Sequence, residues 1–344
     1  MQFLYTVKLR REACIRRSVN SRLNDIHNQG AKLSSLSGAD VAVIVVTYNR
    51  SSYLRRLLLS LADMTRRPRW VIVIDNASTD DTQSIIADAV GLFPSGVLRN
   101  LRQTTNLGGT GGFAAGMVEA TKLGATWLWL LDDDLEVIPD GLEKLLRWGD
   151  RFKCIQGARL DFDGSPFFFQ PFFSEWLGVV LPLIGNPFSE QSYRPINVGC
   201  FEGMFVHRDV VEMVGLPDVR FFTTWDDAMY GWLISQVTIL VLVDDFVLKR
   251  TRAQRKISLG LRHLNDANDT FRFYMMRNRG LVAEYLAKKQ QFSRFGFALG
   301  TFLVFSKEIV RLLVVEHQLH GVSALYRGWR EASRIRRAAA SRNF

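Results

Sequence analysis

The stretch that most constrains this chain runs Trp127-Leu128-Trp129-Leu130-Leu131-Asp132-Asp133-Asp134. An apolar run that ends abruptly in three carboxylates is the pattern of a buried strand that stops where its sheet opens to solvent. Side chains two apart in a strand share a face, so Asp132 and Asp134 are expected to point together while Asp133 turns aside. Two carboxylates held that close repel each other unless a cation sits between them, and hard oxygen donors suit Mg²⁺ or Mn²⁺ holding a diphosphate. The competing reading is a solvated acidic turn ahead of the helix that Pro139 and Gly141 announce.

Upstream, Val41-Ala42-Val43-Ile44-Val45-Val46 is a continuous β-branched run, as in strands buried on both faces of a parallel sheet. It ends in Thr47-Tyr48-Asn49-Arg50, after which Ser51 and Ser52 are expected to cap a helix carrying Leu54, Leu57, Leu58 and Leu61. Trp70 to Ile74 repeats the strand signal and ends in Asp75-Asn76-Ala77-Ser78-Thr79-Asp80, a second helix start. Val97 to Leu101 predicts a third strand. The glycine-dense segment from Asn106 through Gly108, Gly109, Gly111 and Gly112 is expected to be a loop leading into a helix. Strand and helix alternating in this way imply right-handed crossovers and a mainly parallel sheet, whose ligands bind beyond the carboxyl ends of its strands. Thr47, Asp75 and Asp132 to Asp134 all lie at such ends. Gly109 to Ala114 also satisfies G-x-G-x-x-A, but it belongs to the third repeat and polar residues separate it from its strand, which argues against a dinucleotide fingerprint.

Further on, Val198 to Val206 reads as another buried strand, Trp225-Asp226-Asp227 as the start of a helix, and Val237 to Leu248 as a strand. Paired acids at a helix start often serve only as caps favoured by the helix dipole. Asp227 becomes a base if that helix end faces the crevice. The formal charge of +10 gathers in Lys8 to Arg22, Lys249 to Arg262 and Arg327 to Arg342, and suits a phosphorylated substrate, nucleic acid or anionic lipid. Cys14, Cys154 and Cys200 lie far apart without metal or redox spacing, and read as reduced thiols of a cytosolic protein. The basic N-terminus shows no signal peptide. Phe167 to Ile184 is broken by polar residues and prolines, and Phe295 to Phe305 is too short to span a bilayer, which leaves interfacial association open.

The motifs in order are Thr47-Tyr48-Asn49-Arg50, Asp75 to Asp80, the Asn106 glycine segment, Asp132-Asp133-Asp134, Trp225-Asp226-Asp227 and Arg277-Asn278. Together they resemble inverting family-two glycosyltransferases of the GT-A fold, and particularly bacterial galactofuranosyltransferases and rhamnosyltransferases, over about Val41 to Tyr285. The resemblance implies an α/β fold of GT-A type, a mainly parallel nucleotide-binding sheet flanked by helices, with a helical, basic C-terminal extension. The chain then divides into an N-terminal extension (1–39), a nucleotide-sugar half (40–150), an acceptor half (151–250) and the extension (251–344). By the same resemblance Thr47, Asp75, Asn106, Gly108, Gly109 and Asp133 bind the donor, and Asp132 and Asp134 hold Mn²⁺ or Mg²⁺. Asp227 is the catalytic base, and Glu202, Trp225 and Asp226 line the sugar and acceptor. Where the family places a metal-binding His this chain has Lys249, with His263 further on as a substitute ligand. Met229 and Leu233 stand where the family has Glu and Arg.

The implied function is metal-dependent, inverting transfer of galactofuranose from UDP-galactofuranose to a hydroxyl of a lipid-linked glycan or polysaccharide. It would act in the cytoplasm at the inner face of the cell membrane, with an anionic lipid surface as a partner. A dTDP-sugar rhamnosyltransferase and a non-enzymatic basic binding protein are the alternatives, and no nucleic acid is expected. A sugar nucleotidyltransferase would need a basic, glycine-rich phosphate signature after the first strand, which Thr47-Tyr48-Asn49-Arg50 is not.

Overall fold

The β-branched run after Asp40 forms β1 (Val41–Thr47), buried along its whole length. In this computed structural model the described residues are 39–167, 171–182, 187–188, 191–252, 257–258, 263–264, 268–317 and 319–341. Residues 1–38, most of the expected N-terminal extension, and much of the basic stretch between Lys249 and Arg262 lie outside them. After β1 come α1 (Ser51–Ala62), β2 (Trp70–Asp75), α2 (Thr82–Ala89), β3 (Leu98–Arg102), α3 (Gly108–Lys122) and β4 (Trp127–Asp132). These strands pair in parallel in the order β3-β2-β1-β4. The winding therefore reverses at β1, the kind of switch point beyond whose carboxyl end ligands bind in such sheets.

The second half completes the sheet with mixed pairing. It contributes β5 (Leu135–Val137), α4 (Gly141–Gly149), β6 (Cys154–Leu160), β7 (Pro166–Phe167), β8 (Pro171–Ser174), β9 (Val179–Pro182) and β10 (Tyr193–Ile196). Then follow β11 (Met204–His207), α5 (Arg208–Val214), α6 (Asp226–Ser235) and β12 (Leu240–Arg250). β11 lies between β4 and β6, antiparallel to both, while β6 and β12 are parallel. β5 and β10 add antiparallel to β12, and β8 pairs only with β9. The last elements are β13 (Ile257–Ser258), β14 (His263–Leu264), α7 (Asp269–Arg277), α8 (Arg279–Lys288), α9 (Arg294–Val310) and α10 (Val322–Ser341).

Three local expectations change. The glycines from Gly108 to Gly112 form the first turns of α3 instead of a loop. Glycine is a poor helix former, but here it lets the helix lie against β1: a Cβ on Gly112 would sit 2.5 Å from Val46, and one on Gly116 2.3 Å from Ile44. The strand expected over Val198 to Val206 is shortened to β11, because Gly203 adopts φ of 109° and Gly199 packs where a Cβ would meet Met204 at 2.1 Å. Finally, neither Ser51 nor Ser52 caps α1, whose N-cap is Arg50. The cap is supplied from a distance: Asp80 accepts from the backbone N–H groups of both Ser51 and Thr82, which ties the starts of α1 and α2 together.

The main core fills the space between sheet and helices, with Ile44, Ile72, Leu128, Phe113 and Met117 at its centre. A second core built on Trp225, Trp232, Leu281, Leu286 and Phe297 joins α6 to the C-terminal helices and to β8 and β9. A buried Arg279 sits within it, donating to the carbonyls of Leu177, Gly178 and Phe297 and to Thr301. With no carboxylate beside it, burial lowers its pKa to about 9.

Candidate active site

β4 ends at Asp132, which is level with Val46 on β1, so Asp133 and Asp134 lie on the turn into β5. Asp133 points inward and is fully bonded: Thr47 Oγ1 donates to its Oδ2 at 2.8 Å and Arg50 Nη1 to its Oδ1 at 3.0 Å. Asp134 shares the same guanidinium at 3.3 Å. Its backbone carbonyl accepts from Thr251 N at 3.0 Å and Oγ1 at 2.8 Å, which ties the acidic turn to the end of β12. Asp133 is also pushed upward in pKa by burial, with the Arg50 charge opposing.

Asp132 differs from both neighbours. Among the described residues no hydrogen bond or ion pair fixes its carboxylate. Its pKa is held well above the usual carboxylate range, first by burial and then by the negative charges of Asp134, Glu202, Asp133 and Asp227. Acids from the end of β4, the segment before β11 and the start of α6 thus face one another. Glu202 is braced by two cations, Arg159 at 2.8 Å and Arg250 at 3.0 Å, which both lie against the Phe167 ring.

Asp226 and Asp227 open α6. Asp226 Oδ2 accepts from Thr110 Oγ1, on the first turn of α3, at 2.7 Å. Asp227 Oδ1 accepts from Ala228 N at 2.6 Å, and its pKa is pushed up to about 7 by burial and by the adjacent Asp226 charge. The segment that delivers this pair is strained, because Phe222, Thr224 and Trp225 all have φ near +60°, a region costly for bulky side chains. The buried Asn278, at the junction of α7 and α8, holds that shape. Its Nδ2 lies 2.8–3.0 Å from the carbonyls of Phe221, Thr223 and Thr224, and Arg277 Nη1 donates to its Oδ1 at 2.8 Å.

The remaining residues singled out in the sequence are dispersed around this centre. Thr47 is buried and committed to Asp133. Asp75 is wholly enclosed, accepting from Ser78 N at 2.8 Å and Gln83 Nε2 at 2.5 Å with Arg102 beyond. Asn106 Oδ1 accepts from Gly108 N at 2.8 Å, and Gly108, at φ of 72°, packs so closely that a Cβ would lie 2.1 Å from the Phe222 carbonyl. Gly109 faces Asp226 at 3.8 Å by the same measure. Trp225 turns its ring into the second core and donates to the Met275 carbonyl at 3.0 Å. His263 lies on β14, whose side chains fall outside the described residues. Arg50, Arg159, Arg250 and Asn278 were not anticipated as site residues. Arg50, a cation just beyond the carboxyl end of β1, and Asn278, within the Arg277-Asn278 motif, carried a local signal.

Among the described residues no group of three or more His, Cys, Asp or Glu side chains is placed to hold a metal ion. A site for Mg²⁺ or Mn²⁺ beside a diphosphate needs only one or two carboxylates, the remaining ligands being water and phosphate oxygens. The unbonded, charge-crowded Asp132 with Asp134 beside it fits that requirement. An open cavity of about 470 Å³ runs along α3 between Asn106, Leu107, Ala115, Leu216 and Phe222; none of the carboxylates lines it.

Comparison with known proteins bears on the family and the fold. Residues 42–212 match glycosyl transferase family 2. The galactofuranosyltransferase GlfT1 of Mycolicibacterium smegmatis is 28% identical over 287 residues, spanning 79% of this chain and 92% of that protein. GlfT1 of Mycobacterium tuberculosis is 28% identical over 272 residues, 75% of this chain and 88% of that one. Among solved structures, S. aureus TarS 1-349 in complex with UDP-GlcNAc superposes with a TM-score of 0.51 at 15% identity, covering 87% of this chain and 92% of that one. GalNAc-T7 with UDP, GalNAc and Mn²⁺ gives 0.52 at 13% identity over 72% of this chain and 50% of that one. The chain thus shares the GT-A fold of these neighbours.

Proposed function

The chain belongs to the family 2 glycosyltransferases, and from that premise we propose that it transfers galactofuranose, with inversion, from UDP-galactofuranose to a glycan hydroxyl. One observation carries the reading: the high-pKa carboxylate of Asp227 at the start of α6 lies within electrostatic reach of the unbonded carboxylate of Asp132 at the end of β4. Inversion needs a base on one side of the anomeric carbon and a stabilised leaving group on the other. The choice of sugar rests on the GlfT1 relatives and on Asn106 and the glycines at the head of α3.

In this reading Asp227 takes the proton of the attacking hydroxyl. A pKa near 7 matches that task at neutral pH. Asp226, fixed by Thr110, keeps α6 in register with the donor side. Glu202, held by Arg159 and Arg250, stands between the two halves as a polar wall for the sugar. A divalent cation bound at Asp132 and Asp134 would absorb the charge that develops on the departing diphosphate. Arg50, paired with Asp133 and Asp134, helps to shape that turn.

The test is thermal stabilisation by a panel of nucleotide sugars in Mn²⁺, followed by product analysis. UDP-galactofuranose is expected to raise the melting temperature, since a ligand at a hundred times its dissociation constant adds about 2.7 kcal/mol. Asp132→Ala/Asp134→Ala should abolish that gain. Stabilisation by dTDP-rhamnose alone would reassign the sugar, and no response to any nucleotide sugar would defeat the proposal.

A further inference from the structure

Helix α9 wears its polarity inside out. Its inner side is pressed to β8 and β9 by Gly296 and Gly300, where a Cβ would lie 2.3 Å from the Trp176 carbonyl and 2.0 Å from that of Leu177. That same inner side carries a charge: Glu308 is fully buried and accepts from Arg311, just past the helix end, at 2.8 Å. Its outer side is apolar. Phe295 is 75% exposed and Phe302 65%, with Leu299 and Leu303 between and beside them; Val310 continues the stripe to the end of α9 and Leu313 beyond it. The spacing is that of one helix face. A helix facing water normally shows the opposite arrangement, and contiguous exposed apolar surface marks something that covers it.

From this we infer that the outer face of α9 lies in the headgroup region of an anionic lipid bilayer, parallel to its surface. No described helix is long and apolar enough to cross a membrane, and the buried ion pair of α9 suits a helix that lies on the surface. Charge selects the lipid. Residues 294–341 contain eight Lys and Arg against three Glu. Each of those three is already paired: Glu308 with Arg311, Glu316 with Arg272 and Glu331 with Arg334. Arg327, Arg330 and Arg337 on α10 are exposed and meet no carboxylate among the described residues. Tyr326 and Trp329, also exposed, supply the amphipathic rings that settle at a membrane interface. A second copy of the chain is a poorer occupant, because a two-fold contact through this region sets unpaired arginines against their own counterparts.

The inference concerns where the enzyme sits and is independent of which sugar it moves. The test is co-sedimentation of the full chain with vesicles of phosphatidylglycerol and phosphatidylcholine, or of phosphatidylcholine alone. The wild type is expected to pellet with the anionic vesicles, less so as salt is raised. Phe295→Ser/Phe302→Ser should reduce that partitioning by at least about tenfold, since each loses a buried aromatic ring. Both substitutions sit on exposed positions, and an unchanged circular-dichroism melt confirms folding. Three results overturn the inference: wild type that stays in the supernatant with every vesicle, a double variant that pellets equally well, or a wild-type dimer in analytical ultracentrifugation that the variant dissolves. Stabilisation by nucleotide sugar, measured on the same samples without lipid, reports on the transferase reading alone and should not change in the variant.

Discussion

At the end of β4, Asp133 is fixed by Thr47 and Arg50, which leave the neighbouring strand within three residues of each other. At the start of α6, Asp227 is presented by a loop with three left-handed non-glycine residues, held by an asparagine from the C-terminal helices. The first arrangement is a by-product of parallel strand pairing: once β1 and β4 are in register, their ends must meet. The second has no such necessity. It exists because α7 and α8 pack against the sheet domain through the second core, so the C-terminal helices belong to the architecture that positions Asp227. An acid at a strand end is placed by the fold, whereas an acid on a strained loop is placed by its clamp.

The largest effect should come from the base itself. Asp227→Asn keeps the bond from Ala228 N but cannot take a proton, and turnover should fall about 10²- to 10⁴-fold with little change in donor-induced stabilisation. A variant that turns over at wild-type rate would move the base elsewhere. Asn278→Ala probes the clamp. Leaving buried carbonyls without their donor costs about 1–3 kcal/mol each, so the melting temperature should drop and kcat should fall at least about tenfold, the scale of a misplaced catalytic group. Donor affinity, assigned in the proposed function to the β1 and β4 ends, should hardly move. If Asn278→Ala weakens donor binding as much as turnover, the division between the two regions fails.

A subtler contrast is in pH. In the folded chain Asp227 keeps its proton up to about 7, while an unfolded aspartate releases it near 4. Between these values the folded state binds the extra proton, so Asp227 takes stability away from the wild type as pH rises through that window. Asp227→Asn should therefore melt higher than wild type at pH 8, by about 2 °C or more, and the gap should close as pH falls toward 4. Wild-type kcat/KM should rise over the same window, because only the ionised carboxylate is a base. The smallest effect is the control. Arg56 and Glu136 pair at 2.7 Å, but both are exposed enough for water to screen them, and Arg56→Ala should change stability by about 0–1 kcal/mol and activity not at all.

This contrast also explains what could be read from the residues alone. Continuous apolar runs such as Val41 to Val46 and Trp127 to Leu131 announced the central strands, and the acids at their ends announced the crevice. The glycines after Asn106 misled as to local structure, because helix propensity was outweighed by the need for α3 to touch Val46 and Ile44. Cys200 and Val198 looked like part of a strand, but that segment is bent by glycines before β11 begins. The clamp was invisible: Arg277-Asn278 could be picked out as a motif, but the carbonyls Asn278 holds lie 54–57 residues earlier. The same holds for Arg250, whose partner Glu202 is remote in sequence and whose position looked like the tail of a strand.

The bond between Thr110 and Asp226 has one further consequence. It links the first turns of α3 and α6, so two helices direct their amino ends at a single carboxylate. The loop that carries Asp227 therefore cannot swing without pulling on α3, and the two sides of the proposed site behave as one joint.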